Sequence, residues 1–228
     1  EKVYIDDDVT CDIIGATPAI GICGSGLIDA CAKLATAEVM EPSGRLRRKK
    51  REELPEKLQE RLVDTSDGCH FVLVEEEDSG RDEPIVITQA DIRQVQLAKS
   101  AIFSGIVMLQ HVMKISDDDL QEVMMCGGFG NYINIESAVK IRLIPNLPLE
   151  KITYSGNAAL MGAQMALLSE TERDRAYDLS LKMEHVALAT RPEFQDIFVD
   201  AMTFLGPDTH VGNSQSEENE MVAAGGAD

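Results

Sequence analysis

The stretch that most constrains this chain is Val123-Met124-Met125-Cys126-Gly127-Gly128-Phe129-Gly130-Asn131. A short apolar run, rich enough in Val and Met for a buried strand, breaks into three glycines within four residues. A new amphipathic segment then starts near Asn134. In α/β proteins, a strand that stops in glycines before a helix is where backbone amides come close to a ligand. Glycine lacks the Cβ that would block such an approach, and a helix N-terminus favours anions. A tight strand-to-helix turn without any ligand would carry the same letters, so the rest of the chain has to decide.

Two further passages have the same form. Ile22-Cys23-Gly24-Ser25-Gly26 runs into Leu27, Ile28, Cys31, Leu34 and Ala35 at helical spacing, with Ser25 as the expected N-cap. Lys151 to Tyr154 reads as a strand ending at Ser155-Gly156-Asn157, followed by a helix of small residues from Ala158 to Leu168. Between them the longest helix is predicted over 89–114, with Thr88 and Asp91 as a capping box. Ile92, Val95, Ala98, Ile102, Ile106, Leu109 and Met113 make one apolar stripe along it. Arg93, Gln96, Lys99 and Ser100 fall off that stripe or at its edge. Asn134 is the expected cap of a helix to Ile141, Glu170 to His185 reads as a charged helix, and Val186 to Leu188 as a short strand. Pro192 opens a last helix reaching about Phe204.

The segment 41–88 reads as a peripheral insertion whose strands His70–Val74 and Pro84–Ile87 pair as a hairpin. The boundaries that follow are 1–40, 41–88, 89–205, and an aperiodic, disordered tail over 206–228.

Composition removes several classes of function. Forty acidic residues against 21 basic ones leave a formal charge of −19, which argues against a general nucleic-acid binder. The basic cluster Arg45 to Arg51 reads as a solvated face. With 4% aromatics and no Trp, the core has to be aliphatic and rich in methionine. No apolar run approaches the roughly 20 residues of a membrane span, and nothing here resembles a signal peptide, so a cytoplasmic protein is expected. Five scattered cysteines without a CxxC pair fit free thiols in a reducing compartment, and their spacing supports no metal site. The chain opens with Glu1 in what reads as a strand, and it is expected to be part of a longer protein.

The order of these segments resembles the C-terminal half of the acetate and sugar kinase, Hsp70 and actin superfamily. The strand-GG loop looks like its adenosine motif, and Gly156-Asn157-Ala158 with Gly162-Ala163 looks like its second connecting motif. The phrases GICGSGLID, ITQADIRQVQLAKSAI, CGGFGNYIN and GNAALMGA resemble the ATP-dependent reductive activators of corrinoid proteins, from about Gly21 to Phe204.

The resemblance implies a ribonuclease-H-like α/β fold, a mixed sheet flanked by helices. It also implies ATP-driven return of a Co(II) corrinoid to Co(I), with a corrinoid protein as partner; a homodimer is open. ATP and Mg2+ are the expected cofactors, with a [2Fe-2S] cluster only in a missing N-terminal domain. The positions that match nucleotide-binding motifs are Gly24, Ser25, Gly26, Gln96, Lys99, Gly127, Gly128, Phe129, Asn131, Gly156 and Asn157. Catalytic residues and magnesium ligands are not identifiable. Two other readings stand beside this one. One is an activator of 2-hydroxyacyl-CoA dehydratases, in which Cys23 would sit near a cluster. The other is a non-catalytic interaction module of the same fold.

Overall fold

The structure, a computed structural model, describes residues 1–205, with the side chains of Ala16 and Phe129 excepted. The tail expected over 206–228 lies outside the described residues. The first strands, β1 (Lys2–Ile5) and β2 (Val9–Asp12), form an antiparallel pair against α1 (Gly24–Thr36). After the short α2 (Glu56–Glu60) come β3 (Leu62–Thr65), β4 (Gly68–Val74) and β5 (Ile85–Thr88), an antiparallel sheet in that order. The expected hairpin is β4 with β5, and β3 adds a third strand that the sequence reading left out.

The long helix α3 (Gln89–Met113) starts at Thr88, whose hydroxyl accepts from Asp91 N while Asp91 accepts in return from Thr88 N. Next come β6 (Val123–Met125), the single turn α4 (Gly127–Gly130), α5 (Ile135–Lys140) and β7 (Ile152–Tyr154), with β6 and β7 parallel. The chain closes with α6 (Ala158–Leu168), α7 (Glu170–Lys182) and α8 (Pro192–Asp200). A strand was expected at Val186–Leu188. The structure has a 3-10 turn at Leu188–Thr190 instead, because that stretch finds no neighbouring strand to pair with among the described residues.

One core joins these pieces. Ala30, Cys31 and Leu34 of α1 meet Val3 and Ile5 of β1, Phe71 and Ile87 of the antiparallel sheet, and Val139 and Ile141 at α5. Leu46, Leu54 and Leu58, from the 41–88 segment, belong to the same core. Gly44 lets that segment reach α3. Its φ of +80° is left-handed, and a Cβ there would lie 2.7 Å from the Gln96 amide. The close approach allows Gln89 Nε2 to donate to Gly44 O at 2.7 Å and Gln96 Nε2 to Ser43 O at 3.0 Å.

Candidate nucleotide site

Two of the glycine passages are brought together by the parallel strands. The register Met125↔Tyr154 ends both strands at one level. Beyond it, Ser155 N donates to Met125 O at 2.9 Å and Gly127 N to Gly156 O at 2.8 Å. The loops of Gly127-Gly128 and Gly156-Asn157 thus leave the carboxyl ends of adjacent parallel strands, the edge where open α/β sheets bind ligands. Gly127 and Gly156 both need glycine, with φ of +88° and +64°. A Cβ built at Gly127, Gly128 or Gly156 would meet nothing within 4 Å, so these backbones border open space that a ligand could enter.

Asn157 turns the second loop into α6, its Oδ1 accepting from Leu160 N at 3.0 Å. Asn131 follows α4 on the surface, its N–H donating to Gly127 O at 3.2 Å. Tyr154 Oη donates to Ile133 O at 2.6 Å and fastens β7 to the segment between α4 and α5.

The Gly24–Gly26 passage opens α1. Ser25 was expected to cap α1, but Cys23 does so: its Sγ accepts from Gly26 N at 3.4 Å, and Ser25 lies buried inside the first turn. Burial works to raise the Cys23 pKa, but hydrogen bonding with Ser25 and from Gly26 N outweighs it and holds the thiol below its usual value. Cys23 and Gly26 line a cleft of about 310 Å³ with Cys11, Ile20, Leu73 and Ile85. No residue of the Gly127 or Gly156 loop lines that cleft.

The two passages are linked instead through Asp29, a residue to which sequence reasoning assigned no role. Buried on α1, it accepts from Val3 N at 2.7 Å and from Ser137 Oγ at 2.5 Å. It therefore positions α1 against α5, which follows the glycine turn. Only its place between apolar Ile28 and Ala30 could have marked it as buried.

Gln96 and Lys99 depart most from expectation. Off the apolar stripe they should be exposed or face a ligand, yet they are 4% and 1% accessible. Gln96 Nε2 donates to Ser43 O and Met202 O, and Lys99 Nζ donates to Ala201 O and Thr203 O while lying 4.8 Å over the Phe204 ring. Burial pushes the Lys99 ammonium down to about 7, the Arg142 guanidinium pushes the same way, and Asp200 opposes. A neutral amine still carries two N–H groups, enough for both carbonyls.

Arg142 completes the arrangement. It occupies the left-handed position after α5, with its N–H on Val139 O and Leu143 N on Ala138 O. Its guanidinium stacks 5.0 Å from the Phe103 centroid, donates to Thr203 Oγ1 and pairs with Asp200 at 3.0 Å.

Comparison with known proteins places this architecture. Residues 1–215 match the family described as the C-terminal domain of RACo, the ASKHA domain. The chain belongs to this family. It is 33% identical over 200 residues to the corrinoid activation enzyme RamQ of Eubacterium limosum, covering 87% of the chain and 34% of that relative. Over 122 residues it is 25% identical to the Co(II) methylated amine-specific corrinoid protein reductase of Methanosarcina barkeri, covering 53% and 22% of the two chains. A solved reductive activator for a corrinoid, iron–sulfur protein superposes with a TM-score of 0.80 at 35% identity, over 92% of this chain and 33% of that one. The chain thus spans about a third of the length of the Eubacterium limosum relative and of the solved activator.

The family is one of ASKHA domains, and the left-handed, open glycine pair at the strand ends suits a nucleotide. A metal cluster is another matter. Among the described residues, no group of three or more His, Cys, Asp or Glu side chains is arranged to hold a metal ion. No helix among them is long and apolar enough to cross a membrane.

Proposed function

We propose that this domain is the ATP-binding part of a reductive activator that returns a Co(II) corrinoid protein to Co(I). The observation that carries the reading is the hydrogen bond from Gly127 N to Gly156 O, which sets two left-handed glycines side by side at the ends of parallel strands in an ASKHA domain. The names of the relatives, a corrinoid activation enzyme and a Co(II) corrinoid protein reductase, support the substrate.

In this reading Gly127, Gly128 and Gly156 present backbone to the nucleotide without side-chain obstruction, and Asn157 fixes the loop by capping α6. Gly24 to Gly26 take part beside them, with α1 tied to α5 by the bond of Ser137 to Asp29. Asn131 lies at the edge of the same turn, and the role of the Phe129 side chain falls outside the described residues. ATP would supply the free-energy difference between two conformers of the activator, one of which favours the corrinoid state whose cobalt accepts an electron. Magnesium would accompany the phosphates. The electron would come from a donor outside the described residues, and cobalt gains one electron in passing from Co(II) to Co(I).

The test is Gly128→Val in the full-length protein. Because a side chain at Gly128 meets nothing within 4 Å, the variant should fold, with an unfolding midpoint like the parent. Its ATP affinity should nevertheless fall by at least a hundredfold, as read by calorimetry. A folded variant that binds ATP as the parent does refutes the assignment.

A further inference from the structure

A groove of about 700 Å³ lies at the amino ends of β6 and β7, the opposite edge of that sheet from the glycine loops. Its walls are the second half of α3, the turn before β6, the loop after α5, and α8. Val107, Leu147 and Ile197 give it apolar surface, and Asp118 and Asp196 stand exposed at its rim. A space of this size is in the range of ordinary binding sites and far more than a lone ion fills. None of these residues has a part in the nucleotide reading.

The charge of the groove is unbalanced. Asp117, Asp118, Asp196 and Asp200 against Arg142 and Lys151 leave two negative charges in excess, with His111 beside them. Both cations are already engaged. Arg142 pairs with Asp200 at 3.0 Å and lies over Phe103, while Lys151 Nζ donates to Leu120 O at 2.8 Å. Asp118 and Asp196 enter no ion pair among the described residues. Aspartates alone would mean little, since such side chains are at home in water.

Gln110 is the side chain that asks for a ligand. It lines the groove at 9% accessibility, and its Nε2 donates to Asp117 Oδ1 at 2.7 Å. An ionised carboxylate only accepts, so this contact fixes which end of the amide is nitrogen. The other end, Oε1, accepts from none of the described residues. A largely buried amide oxygen without a donor costs free energy that an incoming N–H group would recover.

We propose that this groove receives a basic segment of a partner protein, a lysine or arginine lying along Val107, Leu147 and Ile197 with its charged head among Gln110, Asp118 and Asp196. Such side chains suit the site because they carry an apolar stem and end in several N–H donors. The exposed carboxylates match the polar rim of a protein interface better than the enclosed walls of a small-molecule pocket. The chain's own tail over 206–228 is unsuited, as it holds Asp208, Glu217, Glu218, Glu220 and Asp228 and no lysine or arginine. A second copy is no better. It carries the same charge of −19, and in its basic cluster Arg47 is tied to Glu38 and Glu53, and Arg48 and Arg51 to Asp64. Taking the corrinoid protein as the partner rests on the function proposed above; the preference for a basic segment does not.

The test uses the full-length protein and a labelled ten-residue peptide of alternating leucine and lysine, with glutamate replacing lysine in the control peptide. Anisotropy at about 0.05 M salt should show the lysine peptide binding at least tenfold more tightly than the control. Asp118→Lys with Asp196→Lys should weaken that binding at least tenfold, with ATP affinity and the unfolding midpoint unchanged. Glu76→Lys with Glu77→Lys makes the same change of net charge on an exposed turn outside the groove and should weaken it less than twofold. A lysine peptide that does not bind, or equal losses in the two double variants, overturns the groove. The corrinoid protein is then tested separately. Its association rate should fall at least tenfold in the Asp118 and Asp196 variant. If the variant loses the peptide but meets the corrinoid protein at the parental rate, the groove stands and that partner docks elsewhere. A parent protein that binds the peptide and ATP but never the corrinoid protein removes the proposed function and leaves the groove.

Discussion

A carboxylate buried on α1 accepts one hydrogen bond from β1 and another from α5, so Asp29 holds three elements in a fixed relation. Removing it leaves Val3 N and Ser137 Oγ buried without an acceptor. Asp29→Ala should cost about 3 kcal/mol, with roughly 1–3 kcal/mol for each stranded donor. Urea unfolding should show this as a lower midpoint at unchanged slope; a loss under about 1 kcal/mol would mean that water replaces the carboxylate. Lys99 makes a second prediction at this scale. Its folded pKa of about 7 lies below the 10.5 of the free side chain, so between these values the unfolded chain holds a proton that the folded chain has released. Stability should therefore rise with pH across that window and fall as pH drops toward 7. Lys99→Met should flatten the rise. An identical slope in the variant would show that Lys99 keeps its proton when folded.

Among the elements, α3 and α6 carry the largest disagreement between pattern and packing. The α3 capping box at Thr88 and Asp91 is where local sequence and structure coincide, and Thr88→Ala should cost about 1 kcal/mol of stability in thermal or urea unfolding. The helix α6 is the reverse case. Its small and aliphatic residues suggested close packing, yet no residue of it is buried, and Leu168 is 85% exposed. Together with Leu160, Met161 and Met165 this is an apolar surface of the kind that marks contact with other polypeptide. In this 228-residue chain, Leu160→Gln with Leu168→Gln should change stability by no more than about 0.5 kcal/mol per site. A markedly lower unfolding midpoint would show that α6 packs inside the chain after all.

For the whole molecule, a charge of −19 sets how partners approach. Charge complementarity acts mainly on encounter rate and specificity, and salt screens it within about 10 Å at 0.1 M. If the proposed function holds, association of the full-length protein with a corrinoid protein should change severalfold in rate between about 0.05 and 0.5 M salt, read by stopped-flow or surface-binding kinetics. An association rate indifferent to salt would remove electrostatics from the docking step.

Local features of the chain were enough to place most elements. Glycine passages after apolar runs, the Thr88–Asp91 box, the Asn134 cap and Pro192 at the start of α8 all act through neighbours within four residues, so their letters are readable in order. The long phrases around Gly127 and Gly156 carried the family for the same reason. What only the tertiary structure decided depends on residues far apart in the chain. Met202 lies 106 positions from Gln96, and no periodicity in α3 can announce that its polar face, rather than its apolar stripe, will meet that partner. Asp29 and Ser137 are separated by 108 positions, and their bond forms only once α5 has come to rest against α1. Helical spacing reports which side chains share a face. Which face is buried depends on what the remainder of the fold brings up against it.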